Sequence, residues 1–211
     1  NNPFEIKVCG INDEISMNTA LKCKADYVGL VFYPNSPRNV SINLSRELLQ
    51  LRNKLTKIVA LIVDPYDDFL FEIKKKIKPD YIQLHGNEDP NRCMDIKKKF
   101  NIPIIKGLNV KNKLNLMQLT SDYGDICDIL LFDAPSEALP GGNGKKFDWD
   151  ILKDFKSKKK WMLAGGLNIE NIEKAIDITK APEIDISSGL EIIKGVKDPR
   201  LIENCIKKCK E

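Results

Sequence analysis

The stretch KIVALIVDPYDDFLFEIKKKIKPDYIQLH, residues 57–85, decides the fold. It begins with KIVALIV, an apolar run rich in β-branched residues that is typical of a strand. The next segment, DDFLFEIKKKI, repeats apolar residues at helical spacing and closes on lysines, which suit the C-terminal end of the helix dipole. A second short apolar run, DYIQLH, follows. A strand, a helix and another strand in this order predict parallel strands joined by a helical crossover.

The same order recurs along the whole chain. Eight apolar runs, near residues 5, 27, 57, 80, 102, 128, 161 and 183, alternate with eight segments of helical spacing. The segment FDWDILKDF, residues 147–155, is expected to be the sixth helix. Eight repeats within 211 residues predict a closed (β/α)₈ barrel, an α/β fold, as a single domain over residues 1–211. The alternative is a doubly wound open sheet, but no GxGxxG fingerprint follows the first run.

Composition and charge narrow the classes of partner. The chain is 42% hydrophobic and 30% charged, and it has neither an apolar run of membrane-spanning length nor a visible secretion signal. We therefore expect a cytoplasmic protein, or an organellar one after removal of a targeting segment, with no membrane partner. The net charge of +4 is mild, and the lysine runs close helical patterns or precede strands, so no nucleic-acid partner is expected. A monomer and a homodimer both remain open.

Cysteine and histidine counts bear on metal and redox chemistry. The six cysteines form no CxxC pair, and without a secretion signal free thiols in a reducing compartment are expected. The single histidine, His85, excludes a histidine-rich metal site.

The glycine-rich stretch LPGGNGKKFDW, residues 139–149, superficially suggests a nucleotide-binding P-loop. That motif requires glycine five residues before its second glycine, where Leu139 stands, and a hydroxyl residue after the lysine, where Lys146 stands. A Walker-type NTPase is therefore not expected, and the loop that contains Gly141, Gly142, Gly144 and Lys145 needs another role.

Two polar residues end strands of the predicted barrel, where barrel chemistry takes place. Alternation in EIKVC points Lys7 and Cys9 inward, and Asp133 ends DILLFD in phase with Leu131. A thiol and a carboxylate across a small mouth are suited to be a general base and a general acid. The neighbouring Lys7 would favour the thiolate. The alternatives are a buried, inert cysteine and an aspartate that caps a helix or bonds a loop.

Glycines follow the last two strands, in AGG at residues 164–166 and SSG at residues 187–189. Backbone amides and hydroxyls in these loops of a barrel commonly hold a phosphate, although tight turns would also explain the glycines. Arg38, in FYPNSPRNV after the second strand, offers a fork of donors suited to a carboxylate, unless it is a surface arginine. Two further pairs share a face: Gln83 with His85, and Asp185 with Ser187.

These motifs together resemble one family. KVCG, GLVFYPNSPRNV, QLHGNE, LLFDAPSEALPGGNGKKFDW, LAGGLNIENI and DISSGLE…GVKDPRLI occur in the order expected of phosphoribosylanthranilate isomerases, from about Lys7 to the last helix. The resemblance implies a (β/α)₈ barrel that performs an Amadori rearrangement of N-(5-phosphoribosyl)anthranilate without metal or organic cofactor. It implies Cys9 as the general base, Asp133 as the general acid and Arg38 as the ligand of the anthranilate carboxylate.

The resemblance also implies roles for the remaining motif residues. The substrate phosphate would lie against Gly165, Gly166, Ser187, Ser188 and Gly189. Asp185 would shape the pocket floor or contact the sugar, and Lys7, Gln83 and His85 would belong to the substrate site. The stretch PGGNGKKF would be a lid after the sixth strand. Asp64, where the family more often has asparagine, would add a carboxylate near the mouth and weaken the binding of an anionic substrate.

Two other functions compete with this one. The first is a sister phosphosugar barrel, either similar to the ProFAR isomerase of histidine biosynthesis or acting on both substrates; the former uses two aspartates, one of them at the place of Cys9. The second is a non-catalytic barrel that serves as a binding module, which loss of Cys9, Asp133 or Arg38 would favour; all three are present.

Overall fold

A closed barrel of eight parallel strands forms the centre of the computed structural model, which describes residues 4–133 and 148–211. The strands pair in sequence order, and β1 closes the barrel against β8. The predicted (β/α)₈ barrel is therefore confirmed. The strands are β1 (Glu5–Cys9), β2 (Tyr27–Phe32), β3 (Lys57–Ile62), β4 (Tyr81–Leu84), β5 (Ile104–Asn109), β6 (Ile129–Asp133), β7 (Lys160–Ala164) and β8 (Glu183–Ile186).

Helices cover the outside of the barrel. Five of them begin at a residue whose side chain accepts a backbone N–H of the first turn, the usual N-terminal cap, namely Asp13, Ser41, Asp89, Asn112 and Asp198. The described α-helices are α1 (Glu14–Lys22), α2 (Ile42–Leu48), α3 (Asp67–Lys76), α4 (Pro90–Phe100), α5 (Lys113–Tyr123), α6 (Ile172–Thr179) and α7 (Pro199–Lys210). None of these helices is long and apolar enough to cross a membrane.

Two connections differ from the alternation that the sequence predicts. A short 3₁₀ helix, Trp149–Leu152, stands where residues 147–155 were expected to form the sixth helix. It ends because Lys153 is extended and Asp154 adopts a left-handed backbone with φ of 61°. A second feature, not predicted, is an antiparallel hairpin between β8 and α7, formed by β9 (Glu191–Ile193) and β10 (Val196–Lys197).

Apolar side chains fill both surfaces of the strands. The outward residues of β1, Ile6 and Val8, are fully buried beneath the helices, as alternation predicts. Inside the barrel, a second cluster includes Val59, Leu131 and Met162. Because side chains fill the interior, a ligand site is expected at the C-terminal ends of the strands.

Candidate active site

A cavity of about 630 Å³ opens at the C-terminal ends of the strands. Its wall combines residues from seven strands and the loops that follow them. Most of the site residues that the sequence predicts are brought together there: Cys9, Arg38, Gln83, His85, Asp133, Gly165, Gly166, Asp185, Ser187 and Ser188. One cavity therefore contains a thiol, two carboxylates, an imidazole, a guanidinium and two glycine or serine loops.

Cys9 is the last residue of β1 and is only 4% exposed. Its thiol fits because the neighbouring strand has glycine beside it: a Cβ atom on Gly29 would lie 2.8 Å from Cys9 Sγ. Burial raises the pKa of the Cys9 thiol above its ordinary value, and the charge of Asp185 adds to the rise. Lys7 and Lys197 lower this pKa but do not outweigh burial. Lys7 was expected to favour the thiolate, but the effect of burial on this pKa is larger than that of the Lys7 charge.

Lys7 lies one layer below the cavity rather than in its wall. Its side chain is fully buried, and Nζ donates to Asp185 Oδ1 at 2.9 Å. Burial alone would lower the pKa of Lys7, but the adjacent charges of Asp185 and Cys9 raise it. Lys7 therefore remains a cation that supports the Asp185 carboxylate from beneath.

Asp133, the last residue of β6, faces the imidazole of His85. The distance from His85 Nε2 to Asp133 Oδ2 is 3.7 Å. The other ring nitrogen of His85, Nδ1, lies 3.0 Å from Gln83 Nε2. Because Gln83 is completely buried, it fixes the ring from below while the Nε2 side of the ring remains directed toward the carboxylate.

Arg38 lines the cavity with its guanidinium group already engaged on one edge. Nε and Nη2 each lie 2.6 Å from a carboxylate oxygen of Glu191, the first residue of β9. Lys197, on β10, donates to the same carboxylate at 2.9 Å. The bond to Glu191 raises the pKa of Arg38 further. The arginine is therefore an oriented cation rather than a freely moving surface residue.

The two loops predicted to hold phosphate adopt tight turns beside the cavity. Gly165 and Gly166 have φ of 100° and 62°, values that favour glycine. Asn171 Nδ2 donates to Gly166 O at 2.8 Å and holds this loop in place. Gly189 does not line the cavity: a Cβ atom there would collide with the backbone of Leu167 and Asn168, so its role is the close packing of the two loops.

The residues of the expected lid and Asp64 are not among the described residues that line the cavity. Gly141, Gly142, Gly144 and Lys145 of the expected lid lie outside the described residues. Asp64 does not border the cavity, because its Oδ1 accepts the backbone N–H of Asn87 at 2.9 Å. The added carboxylate therefore joins two loops at the rim instead of facing a ligand.

Four residues of this region were missed by the sequence reasoning. Gly29 and Gly107 lie inside strands, where they make room for Cys9 and His85. Their signal was present, since glycine within a strand often marks a close approach. Glu191 and Lys197 belong to the segment GLE…GVKD, but no pattern in that segment indicates that they reach Arg38. Within the two described ranges, no group of three His, Cys, Asp or Glu side chains has metal-binding geometry.

Comparisons with known proteins find similarity to one family along nearly the whole chain. The family model described as N-(5'-phosphoribosyl)anthranilate isomerase matches residues 6–208. A protein of that name from Paramagnetospirillum magneticum is 43% identical over 97% of this chain and 96% of its own length. The phosphoribosyl anthranilate isomerase structure from Thermotoga maritima superposes with a TM-score of 0.87 at 30% identity, covering 98% of both chains.

A further structure was solved with a ligand. It is a phosphoribosyl anthranilate isomerase in complex with reduced 1-(o-carboxyphenylamino)-1-deoxyribulose 5-phosphate, with a TM-score of 0.83, 28% identity and 98% coverage of both chains. That ligand carries an aromatic carboxylate at one end and a phosphate at the other.

Proposed function

Since this chain belongs to the N-(5'-phosphoribosyl)anthranilate isomerase family, we propose that it performs the family's reaction by acid–base catalysis between Asp133 and Cys9. The activity is that of an isomerase in tryptophan biosynthesis. It converts N-(5-phosphoribosyl)anthranilate into 1-(2-carboxyphenylamino)-1-deoxyribulose 5-phosphate. This is an internal rearrangement in which no atom is gained or lost.

The first chemical step opens the sugar ring. Asp133, in its protonated form, gives its proton to the furanose oxygen, and the C1′–O bond breaks as the anthranilate nitrogen forms a Schiff base with C1′. The Nε2 atom of His85 lies 3.7 Å from Asp133 Oδ2, so the imidazole is placed to orient this carboxyl group. Asp133 is left ionised after the transfer.

The second step moves a proton from carbon. Cys9, as thiolate, removes the proton from C2′, and the electron pair forms the enolamine that tautomerises to the ketone product. Because burial raises the pKa of Cys9, the thiolate is a minor form at neutral pH but a strong base once formed. The nearby cations Lys7 and Lys197 favour that form.

The two ends of the substrate are held apart by different parts of the wall. Arg38 receives the anthranilate carboxylate on the part of its guanidinium that Glu191 does not occupy. The loops with Gly165 and Gly166, and with Ser187 and Ser188, receive the phosphate. The reacting carbons then lie between Cys9 and Asp133.

One observation carries this proposal: a thiol and a carboxyl group end β1 and β6 in a single cavity that also contains a guanidinium and two glycine or serine loops. The purified chain should be assayed with the phosphoribosylanthranilate and ProFAR substrates in parallel. Turnover of the first alone supports the proposal. Comparable turnover of both indicates a dual-substrate barrel, and turnover of neither by folded protein contradicts it.

The oligomeric state is a separate proposal. One solved structure contains monomers generated from the dimeric enzyme of Thermotoga maritima, which is 29% identical to this chain. We propose that this chain exists as a monomer or as a similar homodimer, and sedimentation equilibrium distinguishes the two. A larger assembly would contradict both.

A further inference from the structure

The hairpin of β9 and β10 sends two oppositely charged side chains into the protein. The side chain of Glu191 is 4% exposed and that of Lys197 is fully buried. Lys197 Nζ lies 2.9 Å from Glu191 Oε2. Packing alone does not require such a pair, because a buried ion pair costs desolvation that two apolar side chains would avoid.

Glu191 is saturated with donors from three directions. Its two oxygens each accept a bond of 2.6 Å from the Arg38 fork, and Lys197 and the Gly195 N–H complete the set. Burial would raise the pKa of Glu191, but these donors lower it to about 2. The carboxylate is therefore ionised at every physiological pH, and its bidentate contact fixes both the position and the plane of the guanidinium.

Lys197 connects the same pair to the loop that follows β8, the strand on the other side of β1 from β2. Its ammonium donates to Ser187 O at 3.0 Å and lies 3.3 Å from Ser187 Oγ, in the loop assigned to the phosphate. It also lies 3.2 Å from the position that a Cβ atom on Gly10 would take, directly after Cys9. The buried pair thus touches the carboxylate site, the phosphate loop and the end of β1.

Only one edge of Arg38 is used by this arrangement. The bonds to Glu191 come from Nε and Nη2, whereas Nη1 makes no hydrogen bond with any described residue. Because Arg38 lines the cavity, the remaining edge is available to a second carboxylate. A carboxylate bound there would meet a guanidinium whose orientation is already set, which reduces the entropy lost on binding.

We propose that Glu191, supported by Lys197, is a positioning residue for substrate recognition: it holds Arg38 so that the guanidinium edge with Nη1 meets the carboxylate of the substrate. The inference rests on the proposed function. It assigns a specificity role to two residues of the hairpin, neither of which contacts the reacting atoms.

The test is a set of steady-state assays with two substrates. These are N-(5-phosphoribosyl)anthranilate and its carboxylate-free analogue N-(5-phosphoribosyl)aniline. Glu191→Gln is expected to raise KM for the first substrate about 10-fold, with kcat changed less than about 3-fold, because uniform binding is lost. On the analogue its KM should match the wild type within about 2-fold. Glu72→Gln, which removes an exposed ion pair with Lys76, is the matched control and should change neither.

A double-mutant cycle tests whether Glu191 acts through Arg38. Arg38→Met and Arg38→Met/Glu191→Gln should have the same KM for the anthranilate substrate, because Glu191 has no role once the guanidinium is absent. Additive losses would overturn the inference, and so would an equal loss on both substrates.

If Glu191→Gln does not fold, Glu191→Asp replaces it. The shorter side chain keeps the charge but displaces Arg38, so the same substrate-selective rise in KM is expected.

Failure of the inference is distinguishable from failure of the proposed function. Inactive, folded wild-type protein contradicts the proposed function. Active wild-type protein with unchanged kinetics in Glu191→Gln contradicts only the positioning role of Glu191.

Discussion

The imidazole of His85 occupies the space that a side chain at residue 107 would need. A Cβ atom on Gly107 would lie 2.8 Å from His85 Cε1 and would collide with Nδ1. The absent side chain therefore determines where the ring lies and how close it comes to Asp133, 3.7 Å away. Gly107→Ala should displace the ring and lower kcat by about 10-fold or more, since small errors of placement are costly in catalysis.

A double variant distinguishes this steric effect from general damage. In the His85→Ala background no ring remains to be displaced, so adding Gly107→Ala should leave kcat and the melting temperature nearly unchanged. A further large fall in kcat would contradict the idea that Gly107 acts by making room for His85.

Gln83 is expected to select the tautomer of His85. Its Nε2 group lies 3.0 Å from His85 Nδ1, and a donor in that position favours the tautomer that carries its hydrogen on Nε2, toward Asp133. His85 is the chain's single histidine, so imidazole ¹⁵N spectra of untagged protein report on this ring alone. We expect a hydrogen on Nε2 in the wild type. Gln83→Glu can only accept, so it should move the hydrogen to Nδ1 and lower kcat.

The kcat of Gln83→Glu and the spectrum of the wild type test two separate points, the role of Gln83 and the tautomer of His85. A hydrogen bond to Nδ1 exists in both proteins, so a purely structural role for Gln83 predicts unchanged kcat in Gln83→Glu. A wild-type spectrum with the hydrogen on Nδ1 would refute the assignment of the tautomer directly.

The lower end of the barrel contains a carboxyl pair that should make stability depend on pH. Burial, followed by the neighbouring carboxyl group of Glu5, raises the pKa of Glu183 to about 8, although Tyr27 and Lys160 oppose the rise. The folded state therefore binds a proton that the unfolded state, with an ordinary glutamate pKa of 4.5, releases more readily. This stabilisation is fully present below about pH 4.5 and is lost as pH rises through about 8.

Glu183→Gln should remove that dependence, because the amide cannot ionise. At pH 9 we expect the variant to melt roughly 3 °C or more above the wild type, and at pH 5 to melt close to it. Thermal unfolding followed by circular dichroism checks this, with Glu72→Gln as a surface control. A variant that is less stable than the wild type at pH 9 would rule out the shared proton.

The pH dependence of activity should follow Cys9. Because burial raises the pKa of its thiol above the ordinary 9.0, kcat/KM of the wild type is expected to be still rising at pH 8. Steady-state measurements from pH 6 to 9.5 test this expectation. A profile that is flat across the range would mean that ionisation of Cys9 does not limit the reaction.

Strand positions could be predicted from the sequence because each strand is continuous and apolar. The runs EIKVC and YVGLVF coincide with β1 and β2. The helix expected over residues 147–155 could not be predicted correctly. The 3₁₀ helix Trp149–Leu152 in its place is one turn long, because Asp154 adopts a left-handed backbone. The hairpin could not be predicted from the sequence, because its strands are only three and two residues long and Ile192 and Ile193 are exposed.

Within the site, the alternation of side chains along a strand predicts which residues point into the barrel, but not which of them reach the cavity. It placed both Lys7 and Cys9 on the inward face, yet only Cys9 reaches the cavity. The contact between Arg38 and Glu191 joins residues 153 positions apart, and no local spacing indicates it. The balance of burial and charge at Cys9 likewise depends on neighbours from other strands.

A fluorescence assay shows whether Asp133 and Cys9 form the acid–base pair. The loss of N-(5-phosphoribosyl)anthranilate, generated in place, would be followed with wild type, Cys9→Ala and Asp133→Asn. We expect rapid loss with the wild type and a decrease of kcat by more than about 10²-fold in each variant while the fold is retained. Wild-type turnover with undiminished kcat in either folded variant would contradict it.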